Sequence, residues 1–235
     1  MCAVTEPVVV EVEDRILVIT IDRPQARNAV DGAVSVGLAA AIRELDSNPD
    51  LSVAILTGAG DNFCAGMDLK AFVKGEQIAL PGLGLGFTER PPVKPIISAV
   101  EGFALAGGTE LVLATDLVVA STAAKFGIPE VTRGLVAGGG ALLRLQHRIP
   151  YQKAMEFALT GRAFGAEEAH GYGFVNTLCD PGSALEVAKD LARRTPAMDP
   201  RRRGDKTCDQ LKRHLVQRGS LRQTGRHHRS HLRLG

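Results

Sequence analysis

The stretch Gly107-Gly108-Thr109-Glu110 opens a helix-like segment between two apolar runs, and this arrangement decides the fold. Residues 95–100 before it are mostly apolar and predict a strand. Residues 108–115 predict a helix, and Leu117-Val118-Val119-Ala120 predicts the next strand. Alternating strands and helices are typical of an α/β architecture with crossover helices. We therefore expect an α/β fold.

Sequence patterns elsewhere in the chain agree with this alternation. Asp31 is the predicted N-cap of a helix reaching about Asn48, with apolar residues at three-to-four spacing. The Gly- and Pro-rich segment 81–92 predicts a mobile loop. Further strands are predicted at 8–12, 16–21 and 53–57, a short helix near residue 67, and helices at 141–147, 152–160, 166–170 and 183–194.

The composition is that of a soluble globular protein. Hydrophobic residues make up 45% and charged residues 23% of the 235. Aromatic residues reach only 4% and Trp is absent, so we expect a core of Ala, Val, Leu and Ile. No apolar run approaches the ~20 residues that cross a bilayer. The acidic N-terminal segment predicts neither a secretory signal nor a transit peptide.

The four cysteines are scattered along the chain without a Cys-x-x-Cys pair. This spacing disfavours both a metal site and a disulfide framework. Reduced thiols fit a cytoplasmic location better, and that is the location we predict.

Two segments offer free backbone N–H groups. A helix start such as Gly107-Gly108 leaves its first N–H groups without intrahelical partners, and the helix dipole adds partial positive charge. The second segment is Phe63-Cys64-Ala65-Gly66-Met67. Either segment alone is explained as well by close packing. Because each stands between a predicted strand and a predicted helix, the two together favour a shared anion site.

Two glutamates stand beside small or rigid backbone. Glu110 follows the glycine pair, and Glu130 ends the stretch Gly127-Ile128-Pro129-Glu130. Each alone reads as a surface or capping residue. As a pair they could hold one water molecule, deprotonate it and deliver a proton to carbon. The spacing itself does not show that the two side chains meet.

Four motifs in order carry a resemblance to the enoyl-CoA hydratase/isomerase (crotonase) family over roughly residues 8–195. They are Ile21-Asp22-Arg23-Pro24-Gln25-Ala26-Arg27-Asn28-Ala29, Phe63-Cys64-Ala65-Gly66-Met67-Asp68-Leu69, Ala106-Gly107-Gly108-Thr109-Glu110 and Phe126-Gly127-Ile128-Pro129-Glu130. The resemblance implies a crotonase-like spiral of stacked ββα units with surrounding helices. It also implies a homotrimer or a hexamer.

By the same resemblance, the backbone N–H groups of Met67 and Gly107 would form an oxyanion hole for the thioester carbonyl. Glu110 and Glu130 would be the two catalytic carboxyl groups, with Glu130 as the proton donor. Lys70 would contact the nucleotide part of CoA. The full set implied for CoA and substrate binding is Gln25, Ala26, Arg27, Ala65, Gly66, Asp68, Leu69 and Lys70.

The implied reaction is addition of water across a 2-trans-enoyl-CoA, in fatty-acid β-oxidation by default. Coenzyme A is part of the substrate, and we predict no separate cofactor, no metal and no membrane partner. One alternative is another acyl-CoA reaction of the family, such as isomerisation. A second alternative is a weakly active or inactive acyl-CoA-binding protein.

The second alternative arises from the C-terminal part of the chain. Residues 200–235 hold eleven Lys and Arg against two Asp, a net charge of +9, whereas the whole chain carries +2. We predict a catalytic domain at 1–198 and an atypical basic tail at 199–235 in place of family-like helices. A reading-frame shift in a GC-rich gene, a solvated disordered extension and an anion-attracting segment are competing interpretations. Specific nucleic-acid binding is disfavoured because no aromatic residues interleave the charges.

Overall fold

A computed structural model describes residues 6–194 of the chain. Its main sheet has six strands in the order β1-β2-β3-β4-β6-β9, with β1 antiparallel to β2 and every other pair parallel. A second sheet has three strands in the order β5-β7-β8. The strands are β1 (Val8–Glu13), β2 (Ile16–Ile21), β3 (Val53–Gly58), β4 (Ile96–Val100), β5 (Phe103–Leu105), β6 (Leu117–Ser121), β7 (Lys125–Gly127), β8 (Phe164–Gly165) and β9 (Thr177–Cys179).

Seven α-helices surround these sheets within residues 6–194. They are α1 (Gly32–Ser47), α2 (Leu69–Val73), α3 (Gly107–Leu113), α4 (Ala141–Arg148), α5 (Tyr151–Thr160), α6 (Ala166–Gly171) and α7 (Ala184–Arg193). Two 3-10 helices, Pro24–Ala26 and Pro129–Arg133, lie in the connections.

The centre of the main sheet is buried on both faces. Nearly all residues of β2, β3 and β4 are buried, as expected for parallel strands covered by helices on each side. On one face, Ala184, Ala188 and Ala192 of α7 pack against the sheet. Their four-residue spacing places three small side chains on one helix face, so the helix can approach the strands closely. The larger core cluster lies on the other face and includes residues of α1 and α3.

The second sheet brings two connecting segments side by side. β5 pairs in parallel with β7, and Leu105 lies opposite Gly127. The chain leaves β5 into α3, which carries Glu110, and leaves β7 into the 3-10 helix that carries Glu130. Because the two strands are parallel, both segments leave the sheet at the same end, the carboxyl end of the strands. The fold therefore places the two glutamates at one end of this small sheet.

The second sheet rests on phenylalanines, which corrects the prediction of a purely aliphatic core. Phe157 and Phe164 stack with ring centroids 4.2 Å apart, and Phe126 meets Phe174 edge to face at 5.2 Å. All four side chains are buried. Four of the eight phenylalanines cluster here, where strands of two or three residues supply little contact area of their own.

Most predicted elements are confirmed, including α1 with Asp31 as its N-cap, whose side chain accepts the Val34 N–H at 2.9 Å. The short strands β5, β7, β8 and β9 were not predicted. Segment 81–92, predicted as a mobile loop, buries its centre, since Leu85, Phe87 and Thr88 are at most 6% exposed. Among residues 6–194, no helix is long and apolar enough to cross a membrane. The predicted domain boundary at 198 and the tail lie outside the described residues.

Candidate active site

A threonine joins the two segments that carry the glutamates. Thr109 is fully buried in the first turn of α3, and its Oγ1 accepts the Gly127 N–H at 3.0 Å. The same hydroxyl lies within donating distance of the carbonyl oxygens of Ala104 (2.6 Å) and Gly127 (2.8 Å). Ala106 N–H also donates to Gly127 O at 2.8 Å. The helix start and the end of β7 are thus fixed to each other.

The Gly107 N–H is directed by an unusual backbone turn. Ala106, the N-cap of α3, has φ 51° and ψ −122°, a conformation that L-residues rarely adopt. Strained backbone of this kind is concentrated at functional sites, where it is held by the surrounding structure. Here the hydrogen bond from Ala106 to Gly127 holds it. Gly107 is the first helical residue, so its N–H has no intrahelical acceptor.

The Met67 N–H group lies close to that of Gly107. Val30 N–H donates to Gly66 O and Asp68 N–H donates to Val30 O, each at 2.8 Å. In this parallel bridge the residues on either side of Met67 make the bonds, so the Met67 N–H points away from Val30. Among the hydrogen bonds of residues 6–194, neither the Met67 nor the Gly107 N–H serves as a donor.

The space around these two N–H groups admits no extra side chain. A Cβ atom added to Gly107 would lie 3.4 Å from the Met67 nitrogen and 2.8 Å from Leu85 Cδ1. A Cβ atom added to Gly66 would lie 3.3 Å from the Gly107 nitrogen, and Gly66 also has φ 106°, which favours glycine. Glycine at both positions keeps the two donors close together and reachable by a small acceptor.

Glu110 is buried, with 4% of its surface exposed, and its carboxylate points at the start of α4. The Ala141 N–H donates to Glu110 Oε1 at 3.2 Å. A Cβ atom on Gly139 would lie 2.5 Å from Glu110 Oε2, so the glycine run before α4 makes room for the carboxylate. Burial raises the pKa of Glu110, while the backbone N–H groups of Ala141 and Gly139 and the charge of Arg144 act in the opposite direction.

Glu130 has fewer partners. Its Oε2 is buried and makes no hydrogen bond to any of the residues 6–194. Burial raises the pKa of the Glu130 carboxyl, and the negative charge of Glu110 raises it further, while its own backbone N–H and the positive charge of Arg133 oppose the shift. The structure therefore brings the two glutamates near enough to interact electrostatically, which their spacing in the sequence could not establish.

The surroundings of the two carboxyls differ in a way that favours opposite protonation states. Glu110 receives N–H donors and lies in the field of Arg144, and both features stabilise its ionised form. Glu130 lies in the field of the negative Glu110 as well as of the positive Arg133, and within residues 6–194 one of its oxygens makes no hydrogen bond. When environments separate a carboxyl pair in this way, the more stabilised anion is suited to act as a base and the other as an acid.

A small apolar cavity adjoins Glu130. It has a volume of about 130 Å³ and opens beside the 3-10 helix and the start of α4. Its lining residues are Ile128, Glu130, Val131, Leu135, Val136, Ala137, Leu142 and Ala158. Glu130 is the one ionisable side chain in this lining, so a hydrocarbon chain placed here would end at a carboxyl group.

The residues predicted to bind CoA lie on two adjoining surface segments. Ala65 N–H donates to Arg27 O at 3.0 Å, which joins the segments. Arg27 and Asn28 both have left-handed φ, and the buried Asn28 side chain donates to the carbonyl oxygens of Ala59 and Asn62. Gln25, Arg27, Leu69 and Lys70 are exposed. An open surface depression of about 480 Å³ is lined by Leu69, Lys70, Val73 and Lys74.

Arg23 holds these segments beside the Met67 N–H. Its Nη2 lies 3.1 Å from Asp31 Oδ2 and 3.0 Å from Asp68 Oδ2. Asp68 in turn caps α2 by accepting the N–H groups of Lys70 and Ala71. One guanidinium therefore links the N-cap carboxylates of two helices. Within residues 6–194, no three His, Cys, Asp or Glu side chains are grouped as metal ligands.

A family model described as enoyl-CoA hydratase/isomerase matches residues 11–222. The chain belongs to the enoyl-CoA hydratase/isomerase family. This confirms the family and the crotonase-like fold class predicted from the four motifs. The matched range ends inside the basic tail, whereas the resemblance in the sequence was seen only to about residue 195.

Several similar proteins and solved structures are named as hydratases. The chain is 41% identical over 203 residues to the mevalonyl-coenzyme A hydratase of Beauveria bassiana, covering 78% of this chain and 72% of that protein. It is 40% identical over 199 residues to enoyl-CoA hydratase EchA19 of Mycobacterium tuberculosis, covering 81% and 75%. The crystal structure of enoyl-CoA hydratase EchA1 from Mycobacterium marinum matches with a TM-score of 0.81 and 63% identity, covering 81% and 76%.

Around the candidate site the structure shows contacts of further residues that the sequence did not indicate. Thr109 and Arg23 stand inside the quoted motifs, but their partners, Gly127 for one and Asp31 and Asp68 for the other, are distant in the chain. Arg144 stands between two leucines in an amphipathic helix, a position typical of a solvated face. No pattern in the sequence marks it.

Proposed function

We propose that this protein is a hydro-lyase that adds water across the double bond of a 2-trans-enoyl-CoA. One observation carries the proposal: Glu110 lies in the field of Glu130, and its helix starts at Gly107, whose N–H, like that of Met67, has no acceptor within residues 6–194. The hydratase names of relatives at 40–63% identity support the same reaction class.

The thioester carbonyl oxygen would accept hydrogen bonds from the N–H groups of Met67 and Gly107. Attack at C3 moves electrons through the double bond onto this oxygen, so negative charge develops where the two donors point. Because the donors are fixed before reaction, they stabilise the enolate-like transition state more than the substrate. Losing one such donor typically costs on the order of 10²–10³ in rate.

The two glutamates would divide the proton transfers. Ionised Glu110 takes a proton from water as the water oxygen bonds to C3. Protonated Glu130 delivers a proton to C2 as the enolate collapses, which completes the 3-hydroxyacyl-CoA. The sum is addition of H and OH, with no oxidant or reductant. We propose no separate cofactor and no metal, since a thioester and two carboxyls supply all groups in this scheme.

The CoA part of the substrate would lie along the two surface segments joined by Ala65 and Arg27. Gln25, Ala26, Asp68 and Leu69 complete this surface, Gly66 is buried beside it, and the exposed Lys70 supports binding of a phosphate group. The acyl chain would enter the apolar cavity beside Glu130. With the substrate bound in this way, the thioester would lie between the phosphate-binding surface and the apolar cavity.

We also propose a homotrimer or hexamer and a cytoplasmic location. Exposed apolar side chains on α4 and α5 lie outside the lining of the acyl cavity, among them Leu143, Tyr151, Met155 and Leu159. Exposed apolar surface supports a protein–protein contact when it forms one patch. Sedimentation equilibrium tests the assembly, and cell fractionation tests the location.

The direct test is a turnover assay on the full chain with 2-trans-enoyl-CoA thioesters of increasing chain length. The proposal expects loss of the conjugated thioester absorbance and formation of a 3-hydroxyacyl-CoA. Conversion of a 3-enoyl-CoA to its 2-enoyl isomer without hydration would favour the isomerase alternative. Binding of acyl-CoA without any turnover would favour the inactive binding protein.

A further inference from the structure

Arg144 connects three segments around the candidate active site. It lies in the first half of α4, half-buried, and its Nη1 donates to Gly139 O at 3.2 Å. Its Nη2 donates to the carbonyl oxygen of Thr88, a fully buried residue of segment 81–92. A Cβ atom on Gly140 would collide with Nη1, so the glycine at this position leaves the space that the guanidinium fills.

The charge of the guanidinium also acts on the Glu110 carboxylate, although no ion pair joins the two groups within residues 6–194. Gly139, which receives the Arg144 hydrogen bond, packs directly against the Glu110 carboxyl oxygens. Burial raises the pKa of Glu110 and lowers the pKa of Arg144, and the opposite charges of the two groups counteract both shifts. In the described part of the chain, the charged side chains that interact with Glu110 are Arg144 from α4 and Glu130 from the 3-10 helix.

The contact with Thr88 extends this link to the N–H of Gly107. Thr88 Oγ1 accepts the Leu85 N–H at 3.0 Å. Leu85 packs against Gly107 so closely that a Cβ atom there would lie 2.8 Å from Leu85 Cδ1. The chain of contacts therefore runs from Arg144 through Thr88 and Leu85 to one of the two acceptor-free N–H groups. A displaced guanidinium would loosen the wall behind that donor.

We propose that Arg144 is a positioning residue for hydration: its guanidinium holds Glu110 as the ionised base and fixes Leu85–Thr88 against Gly107. This inference rests on the proposed hydratase function. Arg144 acts through its neighbours and does not touch the substrate in this scheme. Its two tasks, charge and geometry, can be separated by substitution.

The substitution Arg144→Gln removes the charge and the forked donor. Without the cation the Glu110 carboxyl is harder to ionise, so its pKa rises and the acidic limb of the kcat profile moves to higher pH. Displacement of the base and of the Gly107 wall lowers kcat on the order of 10²-fold, with a much smaller change in KM. The charge state of Glu130 sets the basic limb of the profile. Within residues 6–194, the hydrogen bonds of Arg144 go to Gly139 and Thr88 and do not reach Glu130, so the basic limb should stay in place.

The substitution Arg144→Lys keeps the charge but cannot reach both carbonyl oxygens as a planar fork does. We expect the acidic limb to stay near its wild-type position while kcat falls by about tenfold. Arg148→Gln is the matched control. Arg148 lies one turn further along α4, half-buried, and donates to Thr115 O and Asp116 O; its charge acts on Arg144 but is not among the causes that shift the pKa of Glu110. It should lower stability without moving the acidic limb.

The inference is overturned if Arg144→Gln leaves the acidic limb in place, or if Arg148→Gln moves it equally. Should Arg144→Gln fail to fold, Arg144→Lys decides, and an unchanged kcat in that variant overturns the proposal. Infrared difference titration of the Glu110 carboxylate, assigned with Glu110→Gln, gives a readout without turnover. A higher titration midpoint in Arg144→Gln supports the inference even if wild-type protein hydrates no enoyl-CoA, a result that would refute only the proposed function.

Discussion

Thr109 Oγ1 accepts the N–H of Gly127 at 3.0 Å, and this bond joins the helix of Glu110 to the strand that leads to Glu130. The two glutamates are twenty residues apart, and each follows a different strand of the small second sheet. Because Thr109 is fully buried, the bond is shielded from water. The geometry of the carboxyl pair therefore depends on a hydroxyl that takes no part in the proposed chemistry.

Replacing this hydroxyl should disturb activity through geometry. Thr109→Val keeps the shape but leaves the Gly127 N–H buried and unpaired, which costs about 1–3 kcal/mol of unfolding free energy. We expect kcat to fall on the order of 10²-fold as the two carboxyls shift relative to each other. Thr109→Ser retains the hydroxyl and should restore most of both quantities. Urea unfolding and steady-state kinetics measure them; equal behaviour of the two variants would contradict this role.

Neutralising either glutamate should stop proton transfer and leave binding intact. Glu130→Gln cannot donate the proton and Glu110→Gln cannot accept one, so each should lower kcat by about 10²–10⁴-fold. The dissociation constant for an acyl-CoA product, measured by calorimetry, should change little. Glu156→Gln, at a partly exposed, ion-paired glutamate, is the control and should retain activity. Full turnover by Glu130→Gln would refute its assignment as the acid.

A methyl group at Gly107 should block the site of the two N–H donors. Its Cβ atom would lie 2.8 Å from Leu85 Cδ1 and 3.4 Å from the Met67 nitrogen. We expect Gly107→Ala to lower kcat by about 10²–10³-fold, as for loss of an oxyanion donor. Gly171→Ala is the matched control, since a Cβ atom there meets nothing within 4 Å. A Gly107→Ala enzyme as active as Gly171→Ala would contradict the proposed binding mode.

Ionisation of the buried Glu130 carboxyl should lower the free energy of unfolding at neutral pH. Its pKa in the folded protein is raised, first by burial and also by the charge of Glu110. A raised carboxyl pKa means that the folded state binds the proton more tightly, so stability is lost as pH rises from the unfolded pKa through the folded pKa. Glu130→Gln should therefore be more stable than wild type at pH 8, and the difference should vanish below about pH 4.

Denaturant unfolding at several pH values measures this difference. Glu156→Gln should give the opposite sign at pH 8, because hydrogen bonds from Lys153 and Arg162 lower the pKa of Glu156. A Glu130→Gln protein less stable than wild type at pH 8 would contradict the account of an underpaired buried carboxyl.

The long elements could be predicted from the sequence because each buries a continuous pattern. β2 and β3 are mostly apolar and buried, and Asp31 marks the start of α1. β5, β7 and β8 have only two or three residues, which is too short for a periodic pattern. Their pairing is set by tertiary contacts such as the phenylalanine cluster beneath them. The sheet that positions the site was therefore the part that the sequence did not predict.

The same division holds within the site. The motifs supplied the residue types at Met67, Gly107, Glu110 and Glu130, together with the family. They did not supply the direction of the Met67 N–H, which follows from the bridge to Val30. Nor did they indicate Arg144, whose partners Thr88 and Gly139 belong to two separate loops. Contacts between distant segments have no periodic trace in one sequence.

The most direct test is a crystal structure of this protein with a bound 3-hydroxyacyl-CoA, the product of the proposed reaction. The account predicts the thioester oxygen at about 2.7–3.1 Å from the nitrogens of both Met67 and Gly107. It also predicts the Glu110 carboxyl at the C3 hydroxyl and the Glu130 carboxyl at C2. A thioester bound away from these two N–H groups, or with C2 and C3 out of reach of both carboxyls, would contradict it.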